Sequence, residues 1–376
     1  MNSYKQLRVL FDGSEVGHLA VTPNHLVAFA YSENWLKNGF AISPYSLPLR
    51  SGVMIPRKYD PFDGLFGVFA DSLPDGWGRL LVDRLLLKHG INPLTVNPLS
   101  RLAIVGSSGM GALEYQPESP IHVEPIGMSI DQIAVECRKM FDTETSESLD
   151  TLYQMGGSSG GARPKVYYSL NGEEWIVKFP SSSDPENIGR QEYEYGLCAQ
   201  KCGIEMAEIK LLPSAINDGY FATKRFDRME KKRVHMISVS GLLETTHRIP
   251  NLDYHILMQL TLQLTKNYAE LEKLFRLMCF NVFAHNRDDH SKNFSYLYQN
   301  GQWVLSPAYD LTYSNSIGGE HATTVNGNGK DPGMDDLLAV AQKTKLDTKR
   351  MKQIAQEIQE IVHQCLKHYI DKKANG

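Results

Sequence analysis

Apolar residues recur with two different periods along the chain, and this constrains the fold more than any single motif. In the first half they form short strand-like runs, such as 7–11, 16–19 and 27–31. In the second half they recur at three- and four-residue steps over 271–282 and 354–369, which is typical of helices. The sequence therefore predicts an α+β protein in which a β-rich part precedes a helical part.

Length and proline content predict how the chain divides. At about 150 residues per domain, 376 residues correspond to two or three compact units. Pro117, Pro120 and Pro125 lie among polar residues, a composition typical of an extended connector. We predict a small N-terminal α/β domain over 1–115, a connector with a linking helix over 116–148, and a two-lobed domain over 149–376, with a β-rich lobe to about 230 and a helical lobe from about 231.

Composition and charge exclude several classes of protein. Hydrophobic residues at 42% and charged residues at 22% are ordinary for a globular protein and exclude intrinsic disorder. A net charge of −4 gives no bulk attraction to nucleic acid or to an anionic membrane. The 5 scattered cysteines fit reduced thiols, and neither a secretion signal nor a membrane-spanning run is visible. We therefore expect a cytoplasmic protein with no membrane contact and no direct sequence-specific binding to nucleic acid.

The densest polar cluster lies at 285–293, between an apolar helix pattern and an apolar strand pattern. Asp288 follows an arginine and precedes Asn293 by five residues, as in the catalytic loop of protein kinases. In that loop the aspartate accepts the proton of the attacking hydroxyl and the asparagine binds Mg²⁺. Asn286 stands where the kinase motif has histidine.

A second carboxylate, Asp310, follows Tyr309 shortly after a strand-like segment. An isolated Tyr-Asp pair has little meaning. Here it comes last in an ordered series of a glycine-rich loop, a strand lysine, a helical glutamate, an aspartate and an asparagine. Kinases supply their parts in this order, so Asp310 is predicted to be a second Mg²⁺ ligand.

A glycine-rich stretch at 156–161 precedes a predicted β-hairpin. Its glycines let backbone N–H groups converge on a phosphate, and Lys165 adds positive charge. Lys178 lies inside an apolar strand, where an ammonium group is costly to bury without anionic partners. A phosphate and a carboxylate would satisfy it, the carboxylate coming from Glu192 or from Glu194.

Lys224, Arg225 and Phe226 follow another strand-like run and are predicted to offer backbone atoms to an adenine edge. All the candidate catalytic groups lie beyond residue 150. The N-terminal domain is therefore expected to serve regulation or partner binding more than chemistry.

Taken together, these motifs resemble the HipA-type serine/threonine kinases, the toxin components of bacterial HipBA toxin–antitoxin modules. The resemblance covers nearly the whole chain. The segments that carry it are 9–13, 16–17 and 73–78 in the first domain, and 158–165, 177–179, 191–192, 225–228, 288–293 and 309–310 in the second.

The resemblance implies a kinase-like second domain that uses ATP and Mg²⁺ to phosphorylate a hydroxyl amino acid of a translation factor. An aminoacyl-tRNA synthetase, glutamyl-tRNA synthetase in particular, is the known type of target. It also implies neutralisation by a DNA-binding, HipB-like antitoxin. Finally, it implies autophosphorylation on a serine of the glycine-rich loop, Ser158, with the adjacent Ser159 as the alternative.

Carried over by position, the family's roles fall on defined residues of this chain. Catalysis falls on Asp288, Lys178 and Glu192, and metal binding on Asn293 and Asp310. ATP contacts fall on Gly160, Gly161, Ala162, Arg163, Pro164, Lys165, Lys178, Lys224, Arg225, Phe226, His290, Ser291, Lys292, Asn293, Tyr309 and Asp310. The chain departs from the family at Asp289, where glycine is frequent, and at Gln191, where asparagine often precedes the glutamate.

Two other functions compete with the kinase hypothesis. In a metal-dependent phosphohydrolase, His285, Asp288, Asp289 and His290 would be ligands, which leaves Lys178 without a role. An inactive nucleotide-binding subunit of a repressor complex should lack a catalytic residue, and none is missing from the series above.

Overall fold

The structure is a computed structural model that describes residues 3–119, 121, 127–143, 148–182, 184–230 and 232–374. It contains two compact units. The first comprises Met1–Gly189 and Leu212–Thr245, and the second comprises Arg190–Leu211 and Thr246–Gly376. Pro120 and Pro125 of the predicted connector lie outside the described residues, and the boundaries at 115 and 148 stay a prediction. None of the described helices combines the length and apolar character needed to cross a lipid bilayer.

The first unit opens with an antiparallel sheet. The tight turn at Asp12 and Gly13, both with positive φ, joins its first two strands, which contain the strand-like runs predicted at 7–11 and 16–19. The elements are β1 (Gln6–Phe11), β2 (Ser14–Val21), β3 (Val27–Tyr31), α1 (Glu33–Asn38), α2 (Gly67–Ala70), α3 (Gly76–Lys88), a 3₁₀ turn (Pro93–Thr95), α4 (Pro98–Val105) and β4 (Leu113–Gln116). The strand order is β3-β2-β1-β4.

A second antiparallel sheet follows in the same unit. Asn171 and Gly172, with φ of 54° and 78°, form the two-residue turn of the β-hairpin predicted after the glycine-rich stretch. The elements are α5 (Ile130–Thr143), α6 (Leu149–Gly156), β5 (Lys165–Leu170), β6 (Glu173–Lys178), α7 (Ile188–Lys201), β7 (Ile209–Leu212), β8 (Tyr220–Lys224), β9 (Arg228–Met229), β10 (Lys232–Arg233), β11 (His235–Ser238) and α8 (Val239–Leu242). Helix α7 and strand β7 each cross a boundary between the units.

Helix α3 packs on the second sheet of the first unit through an apolar core. Trp77 and Leu81 of α3 pack with Val166 of β5 and with Trp175 and Val177 of β6, and all of these side chains are buried. The predicted N-terminal domain therefore contributes one face of α3 to the core of the β-rich lobe.

The second unit is mainly helical. Its elements are β12 (Leu252–Asp253), α9 (Tyr254–Thr265), α10 (Tyr268–Phe283), a 3₁₀ turn (Ser291–Asn293), β13 (Ser295–Gln299), β14 (Gln302–Leu305), a 3₁₀ turn (Ile317–Gly319), β15 (Thr323–Thr324), α11 (Met334–Lys343) and α12 (Thr348–Ala374). Helix α10 packs between α9 and α12 through the apolar face that the sequence predicts. The predicted change from strands to helices is confirmed.

Candidate active site

The glycine-rich loop connects α6 to β5 in the first unit. Both of its serine hydroxyls are bound by backbone carbonyls: Ser158 Oγ donates to Ser108 O at 2.9 Å, and Ser159 Oγ donates to Gly156 O at 2.6 Å. In the part of the chain that the structure describes, the backbone amides of Gly160 and Ala162 have no acceptor. The loop therefore has a fixed turn at its start and N–H groups that can bind an anion near its end.

Neighbouring groups fix the exit from this loop. The guanidinium of Arg163 pairs with Asp184, with 3.2 Å between Nη2 and Oδ1. Pro164 accepts a backbone hydrogen bond from Phe179 N at 2.9 Å. The loop therefore enters β5 in a defined direction.

Lys165 and Lys178 are directly opposite each other in the β5–β6 pair. Residues that face each other across two strands lie on the same side of the sheet, and like charges there repel. Lys165 is 8% exposed, and Lys178 Nζ lies 5.5 Å from the centre of the Phe221 ring. Both positive charges would attract a phosphate bound beside the glycine-rich loop.

The sequence selected both lysines but did not pair them. The signal was present, because a two-residue turn fixes the register of a hairpin. Counting back from Leu170 and forward from Glu173 brings Lys165 opposite Lys178.

The two charged side chains of the predicted adenine-binding segment 224–226 form ion pairs with other residues of the protein. Lys224 forms a close ion pair with Glu173. Arg225 is 4% exposed and binds Asp227 through two hydrogen bonds of 2.9 and 2.8 Å. Its guanidinium also lies 4.4 Å from the centre of the Tyr167 ring. An adenine contact from this segment would therefore involve backbone atoms or Phe226, and it stays a prediction.

The polar cluster at 285–293 in the second unit is held by polar partners on several elements. Asn286 is buried and donates through Nδ2 to Asn281 Oδ1 at 2.9 Å. The backbone of Arg287 donates to Ser314 O at 3.2 Å, and Ser314 N donates to His285 O at 3.0 Å. These bonds explain how a run of polar residues can follow an apolar helix without being a solvated surface loop.

Asp288 and Asp289 are adjacent in the chain but differ in environment. The side chain of Asp288 is 55% exposed, whereas Asp289 is 1% exposed. The carboxylate of Asp289 accepts hydrogen bonds from Tyr254 OH at 2.9 Å and from the backbone N–H of Thr323 at 3.1 Å, and it lies 2.9 Å from His321 Nδ1. Asp289 therefore braces the loop, while Asp288 remains accessible to a substrate.

This arrangement disfavours the phosphohydrolase hypothesis. The oxygens of Asp289 are already bound by protein donors, and His290 Nε2 lies 3.8 Å from Asp288 Oδ1. Within the described ranges, no group of three or more His, Cys, Asp or Glu side chains is arranged to hold a metal ion.

Asn293 and Asp310 have donor atoms that suit Mg²⁺, which prefers oxygen ligands. Asn293 donates through Nδ2 to Asp288 O at 2.6 Å, so its Oδ1 remains as an acceptor. Tyr309 OH donates to Lys292 O at 2.6 Å, which ties the segment before Asp310 to the residue before Asn293. Asp310 itself has a left-handed backbone with a φ of 58°, an uncommon conformation for a residue other than glycine.

The remaining predicted contacts of this loop also have defined places. Lys292 N donates to His290 Nδ1 at 3.2 Å, and the His290 ring packs against the ring of His247. The hydroxyl of Ser291 is buried without a hydrogen-bond partner among the residues that the structure describes.

Glu192 and Glu194, which the sequence could not distinguish as partners of Lys178, lie in different environments. Glu194 accepts a hydrogen bond from Tyr369 OH at 2.8 Å and lies 3.5 Å from His368 Nε2, so it faces α12. Glu192 is 3% exposed, and its neighbour Gln191 donates to Thr312 Oγ1 at 3.3 Å. Glu192 is the stronger candidate, and its pairing with Lys178 stays a prediction.

Comparisons with known proteins agree with this architecture. Two proteins of Sinorhizobium fredii whose names propose a kinase activity are similar to the chain. Y4mE is 27% identical, covering 81% of this chain and 76% of its own length, and Y4dM is 29% identical, covering 93% and 88%.

Among solved structures, HipA in the complex of Shewanella oneidensis HipA, HipB and operator DNA is similar to the chain, with a TM-score of 0.71 and 18% identity over 97% of this chain and 90% of that one. The predicted fold, a small N-terminal domain followed by a kinase-like domain, is confirmed. The family model for the HipA N-terminal domain matches residues 7–116, and the model for the HipA-like C-terminal domain matches residues 157–366. The chain belongs to the HipA family.

Proposed function

We propose that the chain is an ATP- and Mg²⁺-dependent serine/threonine protein kinase, the cytoplasmic toxin of a toxin–antitoxin module. Its proposed substrate is a translation factor such as an aminoacyl-tRNA synthetase. The observation that carries the proposal is the cross-strand pair of Lys165 and Lys178 beside a glycine-rich loop. Two positive charges on one side of the sheet, next to N–H groups that can bind an anion, suit the phosphates of a nucleoside triphosphate.

The residues of each unit have distinct roles in this proposal. The two lysines and the amides of Gly160 and Ala162 bind phosphate oxygens. Asn293 and Asp310 would hold Mg²⁺, which neutralises charge on the phosphates when it is bound.

Asp288 orients the substrate hydroxyl and accepts its proton. The hydroxyl oxygen forms a bond to the γ-phosphorus as the bond from that phosphorus to the bridging oxygen breaks, and ADP leaves. The exposure of Asp288 suits this role, because a protein substrate must reach its carboxylate.

The test is transfer of label from γ-labelled ATP with Mg²⁺ to protein in a bacterial lysate. Asp288→Asn is expected to reduce transfer by about 10²–10⁴, the usual contribution of a general base, while ATP affinity stays close to wild type. Asp335→Asn, an exposed acidic residue at the start of α11, is the matched control and should keep wild-type transfer. Wild-type turnover in Asp288→Asn would contradict the assignment.

The same assay separates the competing functions. Free phosphate released with a transition metal would support a phosphohydrolase. Tight ATP binding with neither transfer nor release would support an inactive co-repressor subunit.

The lysine pair has a test of its own. Lys165→Met and Lys178→Met should each weaken ATP binding by about tenfold or more, because a charge-assisted bond to phosphate is lost. Lys88→Met, which breaks the ion pair with Asp150, is the control and should leave ATP affinity unchanged. Unchanged ATP affinity in both Lys165→Met and Lys178→Met would refute the phosphate role.

Autophosphorylation is proposed at Ser158. Its hydroxyl must first leave Ser108 O, so the loop has to open before the phosphate is added. The added negative charge would then oppose ATP binding at the same loop. Mass spectrometry after incubation with Mg²⁺ and ATP should find one phosphate in 155–165, and Ser158→Ala should abolish it. An unmodified loop in an active enzyme would leave regulation to a partner.

The proposed partner is a HipB-like DNA-binding antitoxin. The family membership and the complex reported for the Shewanella oneidensis protein support this proposal. The chain should form a stable complex with a HipB-like protein and bind operator DNA only through it. Specific DNA binding by the chain alone would contradict the proposal.

A further inference from the structure

The turn Leu73–Gly78 enters α3 in the N-terminal part of the first unit, and its residues have no role in the proposed chemistry. Asp75 occupies the N-cap position of α3 but makes no capping bond to its own helix. Its Oδ1 instead accepts a short hydrogen bond from the backbone amide of Gly161, at the end of the glycine-rich loop. The carboxylate thus serves a residue 86 positions further along the chain.

The first turn of α3 makes the complementary contact. The backbone N–H of Trp77, one of the amides that a helix leaves without an internal partner, donates to Gly161 O at 2.9 Å. Both backbone polar groups of Gly161 are therefore fixed by the turn. Gly161 has a φ of +84°, which other residues rarely adopt, so this anchoring point requires glycine.

The indole of Trp77 extends the contact to the start of β5. Its Nε1 donates to Lys165 O at 3.1 Å, and its ring stacks on Phe141 with 5.3 Å between the ring centres. Trp77 is 1% exposed, so the donor is held rigidly. The turn therefore fixes the backbone of one member of the lysine pair as well as the loop.

The backbones of the turn and the loop are in direct contact. A Cβ atom on Gly76 would lie 2.4 Å from Gly161 O, and one on Gly78 would lie 2.2 Å from Ser159 O. Such distances exclude any side chain. The glycines of the turn are thus explained by close approach to the loop, in addition to the bend that begins the helix.

We infer that Leu73–Gly78 is the positioning element of the glycine-rich loop, with Asp75 and Trp77 as positioning residues for nucleotide binding. Asp75 and Trp77 fix Gly161, which lies between the amides of Gly160 and Ala162. The N-terminal domain is then required to bind ATP, which revises the expectation that it serves regulation or partner binding more than chemistry. The inference rests on the proposed kinase function only where ATP binding or turnover is measured.

The first test measures hydrogen exchange of 156–165 without nucleotide. Asp75→Ala removes the acceptor of the Gly161 amide, whose exchange should become at least about tenfold faster. Asp75→Asn keeps an Oδ1 acceptor and should restore most of the protection. Asp83→Ala, on the same helix but paired with Arg101 and Arg79, is the control and should leave exchange in the loop unchanged.

The second test measures kinetics on the full chain. Asp75→Ala and Trp77→Phe should raise the KM for ATP by about tenfold while kcat changes by less than about threefold, because the loop binds ATP and Asp288 acts on the hydroxyl. A loss of folded protein would instead lower the apparent kcat, leave the KM for ATP unchanged and lower the melting temperature.

The outcomes separate this inference from the proposed function. If the wild-type chain binds no ATP, the kinase proposal fails and the exchange result decides the positioning role alone. If the wild-type chain is active and Asp75→Ala changes neither the exchange of Gly161 nor the KM for ATP, the inference is overturned and the kinase proposal stands.

Discussion

Each unit fixes a functional segment with one buried aspartate, but the partners of the two carboxylates differ. Asp227 in the first unit is bound by Arg225 and by Arg228, with 2.8 Å between Oδ2 and a guanidinium nitrogen of each, and it accepts a hydrogen bond from Gly111 N. Asp289 in the second unit has a tyrosine hydroxyl, a histidine ring and a backbone amide as partners.

The difference predicts how the stability of each unit changes when its buried aspartate is substituted. Removing Asp227 leaves two buried guanidinium groups with only the half-exposed carboxylate of Glu174 beside them, and the desolvation cost of poorly compensated ions is large. Removing the charge of Asp289 leaves a hydroxyl, an amide and an imidazole, for which the cost is smaller. Asp227 should therefore matter most for stability, and Asp289 most for the geometry of its neighbour Asp288.

The largest effect is expected from Asp227→Ala. It should lower the free energy of unfolding of the first unit by about 3–5 kcal/mol, as for other broken buried ion pairs. Chemical denaturation followed by tryptophan fluorescence measures this loss.

Asp83→Ala is the matched control, since it also removes an aspartate that lies beside two arginines but at a more exposed site. Its cost should be at most about 1 kcal/mol. Equal losses in the two variants would mean that the burial of the Asp227 network contributes nothing, and the contrast between the units would fail.

The second effect concerns pH, because Asp227 and His235 in the first unit are expected to affect stability in different pH ranges. Burial by itself would raise the pKa of the Asp227 carboxyl, but the charges and hydrogen bonds of Arg225 and Arg228 outweigh it and lower the pKa below its usual value. This stabilisation is present above the unfolded pKa of about 4 and is lost only in stronger acid.

His235 in the same unit behaves differently. Burial lowers its pKa to about 4, opposed by the hydrogen bond that its Nε2 makes with Ile42 O at 2.8 Å. Because the unfolded pKa is about 6.5, the native state binds fewer protons between the two values, and stability falls as the pH falls through that window. We expect a loss of about 2 kcal/mol between pH 7 and pH 5.

His235→Gln keeps a donor for Ile42 O but cannot gain a proton. Its free energy of unfolding should change less between pH 7 and pH 5 than that of the wild type, by about 2 kcal/mol. The same pH dependence in both proteins would assign the acid sensitivity to another group.

Local patterns in the sequence predicted much of the fold and selected the candidate site residues. The hairpin turn at 171–172, the helix of α10 and the spacing of Asp288 and Asn293 each depend on residues close together in the chain. The partners that hold these segments are distant in sequence. Asp227 and Gly111 are separated by 116 positions, and Asp289 and Thr323 by 34.

The same reason explains why the sequence did not reveal the roles of Asp75 and Asp289. The sequence gives Asp75 no role of its own, and it offers Asp289 only as a metal ligand of the competing phosphohydrolase. Only the three-dimensional structure shows that the first reaches Gly161 and the second reaches Tyr254.

The smallest effect is expected from Asp289→Asn. This variant tests whether Asp289 holds its neighbour Asp288 in the geometry needed for catalysis. Both carboxylate oxygens accept hydrogen bonds, from Tyr254 on one side and from Thr323 N on the other. An asparagine of the same shape places its NH₂ group either opposite the Thr323 amide, where two donors meet and the loop must shift, or beside Tyr254 and His321, where the Tyr254 hydroxyl loses its acceptor. Because Asp288 is the next residue, kcat should fall by about tenfold while the KM for ATP stays within about twofold.

Tyr254→Phe is the graded control, because it removes one donor to Asp289 and leaves the carboxylate in place. Its kcat should lie between those of the wild type and Asp289→Asn, and the melting temperature of each variant should fall less than that of Asp227→Ala. If Asp289→Asn instead lost as much stability as Asp227→Ala and kept its kcat, the two buried carboxylates would have the same role. Each buried carboxylate would then stabilise its own unit to the same extent, whether its partners are charged or neutral.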